Sequence, residues 1–211
     1  MHLYWQNNLM GMEPSTGGKS RIEIDESKVI TNDNITRWMF GLVDRGNYDI
    51  RIFFVNDNRT RKTLLPIIKN NVYSYYNEIY NNRDPAPNNH NLDYVFPTRI
   101  YSDSFSSYQE VDFNSLGFKL YRINHSVWFG QGSFHTNTVE GVWSKLKRLA
   151  DNFNGLTGKV IEYYEKKGIN RFDYVNGWIC KSLFFMKCEH LKLGDNAKRE
   201  LLAKYLKYSE N

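Results

Sequence analysis

The chain has 211 residues, 41% of them hydrophobic and 16% aromatic, with 24% charged side chains and a formal net charge of +5. Those values describe one globular domain with a real core and exclude a disordered or low-complexity polypeptide. No run approaches the roughly 18 to 20 apolar residues that span a bilayer, and Met1 to Met12 lacks the basic-then-apolar order of a signal peptide.

Two cysteines, Cys180 and Cys188, match neither a zinc site nor a disulfide framework and indicate a reducing, intracellular compartment. The positive charge is uneven. Residues 141–211 carry 14 basic and 8 acidic side chains, whereas the rest of the chain is close to balance. A basic final third suits a polyanionic partner, although solvated helix surfaces explain it nearly as well.

Residues 1–20 read as an irregular N-terminal segment. Its Gly17-Gly-Lys-Ser20 fragment is not a phosphate loop, because position 13 is Glu where that motif requires glycine. Arg21 to Asp25 alternates apolar and charged residues, Trp38 to Val43 is mostly apolar, and Ile50 to Val55 is β-branched and aromatic. Each is predicted as a strand. Asp44-Arg-Gly-Asn47 and Asp57-Asn58 supply turn chemistry, so the three strands read as an antiparallel meander.

Thr60 to Tyr80 has a helical period, with Leu64, Leu65, Ile67, Ile68 and Val72 on one face. Residues 81–97, rich in Asn, Asp and Pro, read as a loop insertion. Thr98 to Tyr101 is a predicted strand, Ser104 to Phe113 a short helix, and Phe118 to Ile123 another strand. From Asn137 the pattern is helical to the end, broken near Asn154-Gly155, Gly168-Ile-Asn170 and Leu193-Gly194. The order implies an α/β fold: a mixed sheet, with an antiparallel three-strand meander plus parallel strands, flanked by helices. The core is expected over 21–152 and a helical C-terminal extension over 153–211. Such an order assigns no activity by itself.

Three acids stand at informative places. Asp25 ends the first predicted strand, Asp103 follows the fourth, and Glu140 lies in the first turns of the helix that begins near Asn137. Carboxylates at two neighbouring strand ends and one packing helix could hold hard divalent cations such as Mg²⁺, which keep water and substrate phosphate as their remaining ligands. Each acid also has a structural reading. Asp25 fits an exposed strand end, Asp103 a turn, and Asn137-x-x-Glu140 is close to a capping box. On the helix, Val139, Val142, Trp143, Leu146, Leu149 and Ala150 form an apolar arc, and Asn137, Glu140, Ser144 and Lys147 a polar stripe outside it.

The segments Ile22-Glu-Ile-Asp-Glu-Ser27, Arg37-Trp-Met-Phe-Gly-Leu-Val-Asp-Arg45, Thr63-Leu-Leu-Pro-Ile-Ile68, Tyr101-Ser-Asp-Ser-Phe-Ser-Ser-Tyr108, Ile123-Asn-His-Ser126 and His135-Thr-Asn-Thr-Val-Glu-Gly-Val-Trp-Ser-Lys-Leu-Lys147 occur in that order. Together they resemble the catalytic domain of Merlin-type DDE transposases and their bacterial insertion-sequence relatives, over residues 20 to 185.

The resemblance implies an RNase H-like fold and a metal-dependent polynucleotidyl transferase. Asp25, Asp103 and Glu140 become its catalytic and metal-holding triad, with Asn137 the alternative third residue. It implies Mg²⁺ or Mn²⁺, as two ions, and DNA as partner, both transposon ends and target. It also implies a homo-oligomer, acting in the nucleus of a eukaryotic host or in the bacterial cytoplasm and nucleoid. Lys147 matches the basic residue that follows the triad, and Lys145 and Arg148 beside it are expected to hold the DNA backbone. His125 and His135 fall in the family motifs without a derivable role. Because only about 20 residues precede the first strand, a truncated or domesticated remnant that binds DNA without catalysis is the alternative expectation.

Overall fold

The computed structural model describes Met10 and residues 20–32, 35–56, 59–74, 98–103, 108, 111–123, 135–153 and 158–200. The expected insertion at 81–97, His125, and most of the short helix expected at 104–113 lie outside the described residues. The elements are β1 (Ser20–Asn32), β2 (Ile35–Asp44), β3 (Ile50–Asn56), α1 (Arg61–Asn71), β4 (Thr98–Asp103), a 3₁₀ turn (Asn114–Leu116), β5 (Lys119–Ile123), α2 (Asn137–Phe153), α3 (Gly158–Lys166) and α4 (Arg171–His190).

The five strands form one sheet in the order β3-β2-β1-β4-β5. β2 and β3 are antiparallel, with Val43 opposite Ile50. β1 runs parallel to β4, and β4 parallel to β5. This is the mixed, RNase H-like sheet expected from the sequence, and it makes β1 the central strand.

One face of the sheet is the better-defined core. Ile22 and Ile24 of β1, Phe40 and Leu42 of β2 and Ile100 of β4 are fully buried together with Leu64 and Ile68 of α1. Leu64 and Ile68 are one helical turn apart, so both point the same way. Each such side chain contributes about 1.5–3 kcal/mol by leaving water. Along β1 the alternation then assigns Ile22 and Ile24 to the α1 side, and Glu23 and Asp25 to the opposite side.

Two boundaries differ from expectation. Helix α1 stops at Asn71 rather than running to Tyr80, because its last carbonyls find partners outside the helix. The Asn71 carbonyl accepts from the Met10 N–H (2.8 Å), and Tyr73 N–H donates to the Met10 carbonyl (2.8 Å). Met10 and Val72 thus form a parallel bridge, and Arg51 donates to Asn71 Oδ1 at 3.1 Å. Strand β1, conversely, continues seven residues past Asp25. The Glu26-Ser-Lys28 stretch hid a β-branched run, Val29-Ile-Thr31, that prolongs it.

The chain divides into two compact units: the described residues of 8–27 with 38–141, and those of 28–37 with 142–211. Within the second, α3 closes through Gly168 at φ 84, whose left-handed backbone lets the Ile169 N–H return to the Tyr164 carbonyl at 3.0 Å. Asn170 then caps α4 by accepting from Phe172 N–H at 2.8 Å. The predicted break at 168–170 is therefore a Schellman stop followed by an N-cap. Tyr164 and Tyr174 stack across it, 4.6 Å between centroids.

Leu64→Ala should destabilise the fold by about 2–5 kcal/mol, since the rigid strands opposite cannot close the cavity. Urea unfolding followed by circular dichroism checks this, and a loss below about 1 kcal/mol would contradict the assigned core.

Candidate functional site

The parallel pairing of β1 with β4 runs from Ser20 opposite Thr98 to Ile24 opposite Ser102. One step further along the two chains stand Asp25 and Asp103. Asp103 is the last residue of β4, so it lies inside the strand end rather than after it. Asp25 is not at the end of its own strand but at the end of the parallel ladder. Both are half-buried. The two predicted aspartates are therefore brought together, on one sheet face, where the ladder opens.

Glu23, two residues before Asp25 on the same face, is completely buried. A carboxylate without water must have its lone pairs matched by donors. Arg45 Nε donates to Oε1 at 2.5 Å, Thr138 Oγ1 donates to Oε1 at 2.8 Å, and Val139 N–H donates to Oε2 at 2.7 Å. The Asp44–Asp49 turn delivers Arg45: Asp44 Oδ1 accepts from Gly46 N–H at 2.7 Å, and Tyr48 takes the left-handed φ of 56. The guanidinium then lies over the Tyr101 ring, 4.1 Å from its centroid, and also donates to the His135 carbonyl. Tyr101 in turn stacks on Tyr121, centroids 5.1 Å apart.

Glu26 points to the other face. Tyr108, itself buried, donates its hydroxyl to the Glu26 carboxylate. The Glu26 carboxyl is pushed up to about 7, chiefly by burial; the Tyr108 hydrogen bond opposes the rise, and the charges of Asp25 and Asp103 add to it. Burial first, and then Glu26, likewise push the Tyr108 hydroxyl well above its ordinary value. Arg59, which stacks over Trp38 at 3.5 Å from the ring centroid, offsets part of the Glu26 charge.

The third predicted acid sits differently. Glu140 is exposed in the first turn of α2, and its carboxylate accepts from Thr136 Oγ1 at 2.9 Å. Its N–H closes on the Thr136 carbonyl at 3.1 Å, so Asn137 does not cap it and the anticipated capping box is absent. Asn137 is exposed and donates its N–H to His135 Nδ1 at 3.3 Å. That nitrogen also lies 3.4 Å from Glu23 Oε1. Accepting from Asn137 requires its lone pair, whereas ion pairing requires a proton, and we take the backbone bond as the one made. Among the described residues, no group of three His, Cys, Asp or Glu side chains is assembled to hold a metal ion. Lys147 and Arg148 are exposed, whereas Lys145 pairs with Glu189 at 3.1 Å.

Sequence reasoning missed Glu23, Glu26, Arg45, Thr136 and Tyr108. Glu23 had one usable signal: on the central strand of such a sheet, covered on both faces, any charge must be paired. Glu26 and Tyr108 carried none.

No protein-family model matches the chain. It is 34% identical over 74 residues to an uncharacterized transposase-like protein of Haemophilus influenzae, an alignment covering 35% of this chain and 58% of that relative. Among solved structures it is similar to a chain of the simian T-cell lymphotropic virus intasome in complex with the PP2A regulatory subunit B56 gamma. That match has a TM-score of 0.41 and 13% identity, over 72% of this chain and 49% of that one. The HTLV-2 integrase catalytic core domain in complex with magnesium gives a TM-score of 0.41 and 10% identity, over 76% and 82%. No helix among the described residues is long and apolar enough to cross a membrane.

The Glu26 shift has a stability consequence. Folded protein holds this proton up to about pH 7, whereas an ordinary carboxyl releases it near 4.5. Its contribution is thus fully present below pH 4.5 and is lost as the pH rises through 7. Chemical denaturation across that window should show wild type losing on the order of 3 kcal/mol relative to Glu26→Gln. Parallel pH profiles for the two proteins would refute the burial of this acid.

Proposed function

We propose that this chain is the catalytic domain of a cut-and-paste DNA transposase of the Merlin type, which cleaves strands at transposon ends and joins them to target DNA. The observation that carries this reading is the side-by-side placement of Asp25 and Asp103 where the β1–β4 ladder opens, next to a Glu26 carboxyl that their charge helps to hold protonated. The name of the H. influenzae relative supports it.

Acids close enough to raise a neighbour's proton affinity form a site whose charge a divalent cation would satisfy, and all-oxygen donors are those that Mg²⁺ and Mn²⁺ take. Asp25 and Asp103 would hold the ions, with Glu140 as third ligand and Asn137 as its alternative. When bound, such a pair of ions acidifies water and neutralises charge on the attacking and leaving oxygens of an in-line displacement.

The chain's own contribution is placement. β1 and β4 fix two carboxylates at one level, and α2 carries the third in its first turn. Lys147 and Arg148, exposed on the same helix, and Lys145 supply cations for DNA phosphates. Cleavage frees a 3′-hydroxyl, which attacks a target phosphodiester; one P–O bond forms as another breaks, so joining needs no external energy source. DNA and further copies of this chain are the partners on this reading.

A non-catalytic, DNA-binding remnant is the second reading, favoured by the lack of an assembled three-ligand group among the described residues.

Labelled DNA incubated with Mn²⁺ should be nicked and joined by wild type, and Asp25→Ala or Asp103→Ala should lower the rate at least about a hundredfold with the fold intact. DNA binding without any metal-dependent product would instead establish the remnant. Loss in Glu140→Ala but not Asn137→Ala assigns the third ligand, and the reverse pattern transfers that role to Asn137. Separately, replacing Lys147 and Arg148 together should flatten the log–log salt dependence of DNA binding by about 2, as expected for two lost phosphate contacts. An unchanged slope would remove these residues from the interface.

A further inference from the structure

Large apolar side chains on a protein surface are ordinarily scattered singly. The turn between α3 and α4 gathers several. Ile161 of α3 is buried, and Tyr163, about 200° further round the helix, is turned outward and 56% exposed. Tyr164 beside it is half-buried and meets Tyr163 edge to face, 5.3 Å between centroids. The left-handed turn at Gly168 folds the chain back, so that Tyr174 of α4, also half-buried, stacks on Tyr164. Three tyrosine rings from two helices thus make one continuous aromatic surface. Ile169 in the turn and Phe172 in the first turn of α4 are exposed as well.

The charges here favour an anion. Lys167 Nζ lies 5.8 Å from the centroid of the Tyr163 ring, within the range of a cation–π contact, and Lys159 is exposed at the start of α3. Two of the local acids are already met: Glu162 pairs with Lys166 at 2.9 Å, and Glu165 with Arg171 at 3.0 Å. The third, Asp173, stands in the first turn of α4, where the macrodipole favours a negative charge. The segment 141–211 also carries the positive excess of the chain, 14 basic against 8 acidic side chains. A wholly apolar partner would strip water from Lys167 and from the tyrosine hydroxyls. Flat rings strung along a polyanion suit both the aromatic faces and the cations. Unpaired nucleotides have that chemistry, whereas a duplex keeps its base faces inside its own stack.

We infer that Tyr163, Tyr164 and Tyr174 form a stacking platform for unpaired DNA bases, with Lys159 and Lys167 on the adjoining phosphates. This rests on the transposase reading above for DNA as the partner, and adds where unpaired strand is held.

The test is binding of a fluorescently labelled single-stranded oligonucleotide, and of the matching duplex, to the full chain, alongside sedimentation velocity. Tyr163→Leu keeps apolar bulk and removes the ring. It should weaken single-strand binding at least about fivefold, the lower end for one lost base stack, while duplex affinity stays within about twofold. Tyr163→Phe keeps the ring and should bind single strands within about twofold of wild type.

Wild-type single-strand affinity in Tyr163→Leu, or an equal loss for both forms of DNA, overturns the inference and leaves the transposase reading standing. A loss that accompanies dissociation of an oligomer also overturns it, and assigns the tyrosines to contact between copies of this chain. Wild-type protein that binds neither form of DNA overturns the transposase reading and this inference with it.

Discussion

A carboxylate with no access to water is the constraint around which this site is built. Glu23 lies on the central strand, and each of its oxygens must be met by a donor or the fold loses several kcal/mol. The three donors come from two separate places: Arg45 on the turn after β2, and Thr138 and Val139 at the start of α2. Satisfying one buried acid thereby sets the turn, the helix start and the strand in one relation. The macrodipole at the helix start adds to the attraction, since a negative charge there is favourable.

Asp25 sits one residue pair further along the same strand. Glu23 is closed in and paired, whereas Asp25 on the same face is half-buried. The alternation of a strand makes this division possible, as i and i+2 share a face while differing in depth. Burial raises the proton affinity of Glu26, and the charges of Asp25 and Asp103 nearby add to that rise. A scaffold that tolerates such repulsion must be over-determined nearby, and the stacked Arg45, Tyr101 and Tyr121 provide that rigidity.

Much of the fold was legible from pattern. Alternating, apolar and β-branched runs located all five strands, and the Gly168 and Asn170 signals located a helix break, because all rest on local preferences. The end of α1 was not legible, since the partner that competes for its last carbonyl is Met10, far away in sequence and carrying no motif. For the site, Asp25 and Asp103 could be named from their places beside strands, and the parallel register brings them together. Glu23 was hidden by its own regularity. Arg21, Glu23 and Asp25 alternate with isoleucines as on any wet-faced strand, and only the sheet order reveals that β1 is covered on both sides. Glu26 and Tyr108 meet across 82 positions, a distance at which pattern carries no information.

The bond between Val139 and Glu23 joins positions 116 apart in the chain. Closing so long a loop costs entropy that grows only with the logarithm of its length, but it must be met before the contact returns anything. A ribosome releases β1 long before α2, so throughout elongation Glu23 has no helix to cap and stays hydrated. The strand holding Glu23 and Asp25 is thus sealed by a helix start made much later, and Glu23 cannot complete its pairing until more than half of the chain has been made. Assembly of the site is thereby timed by synthesis itself.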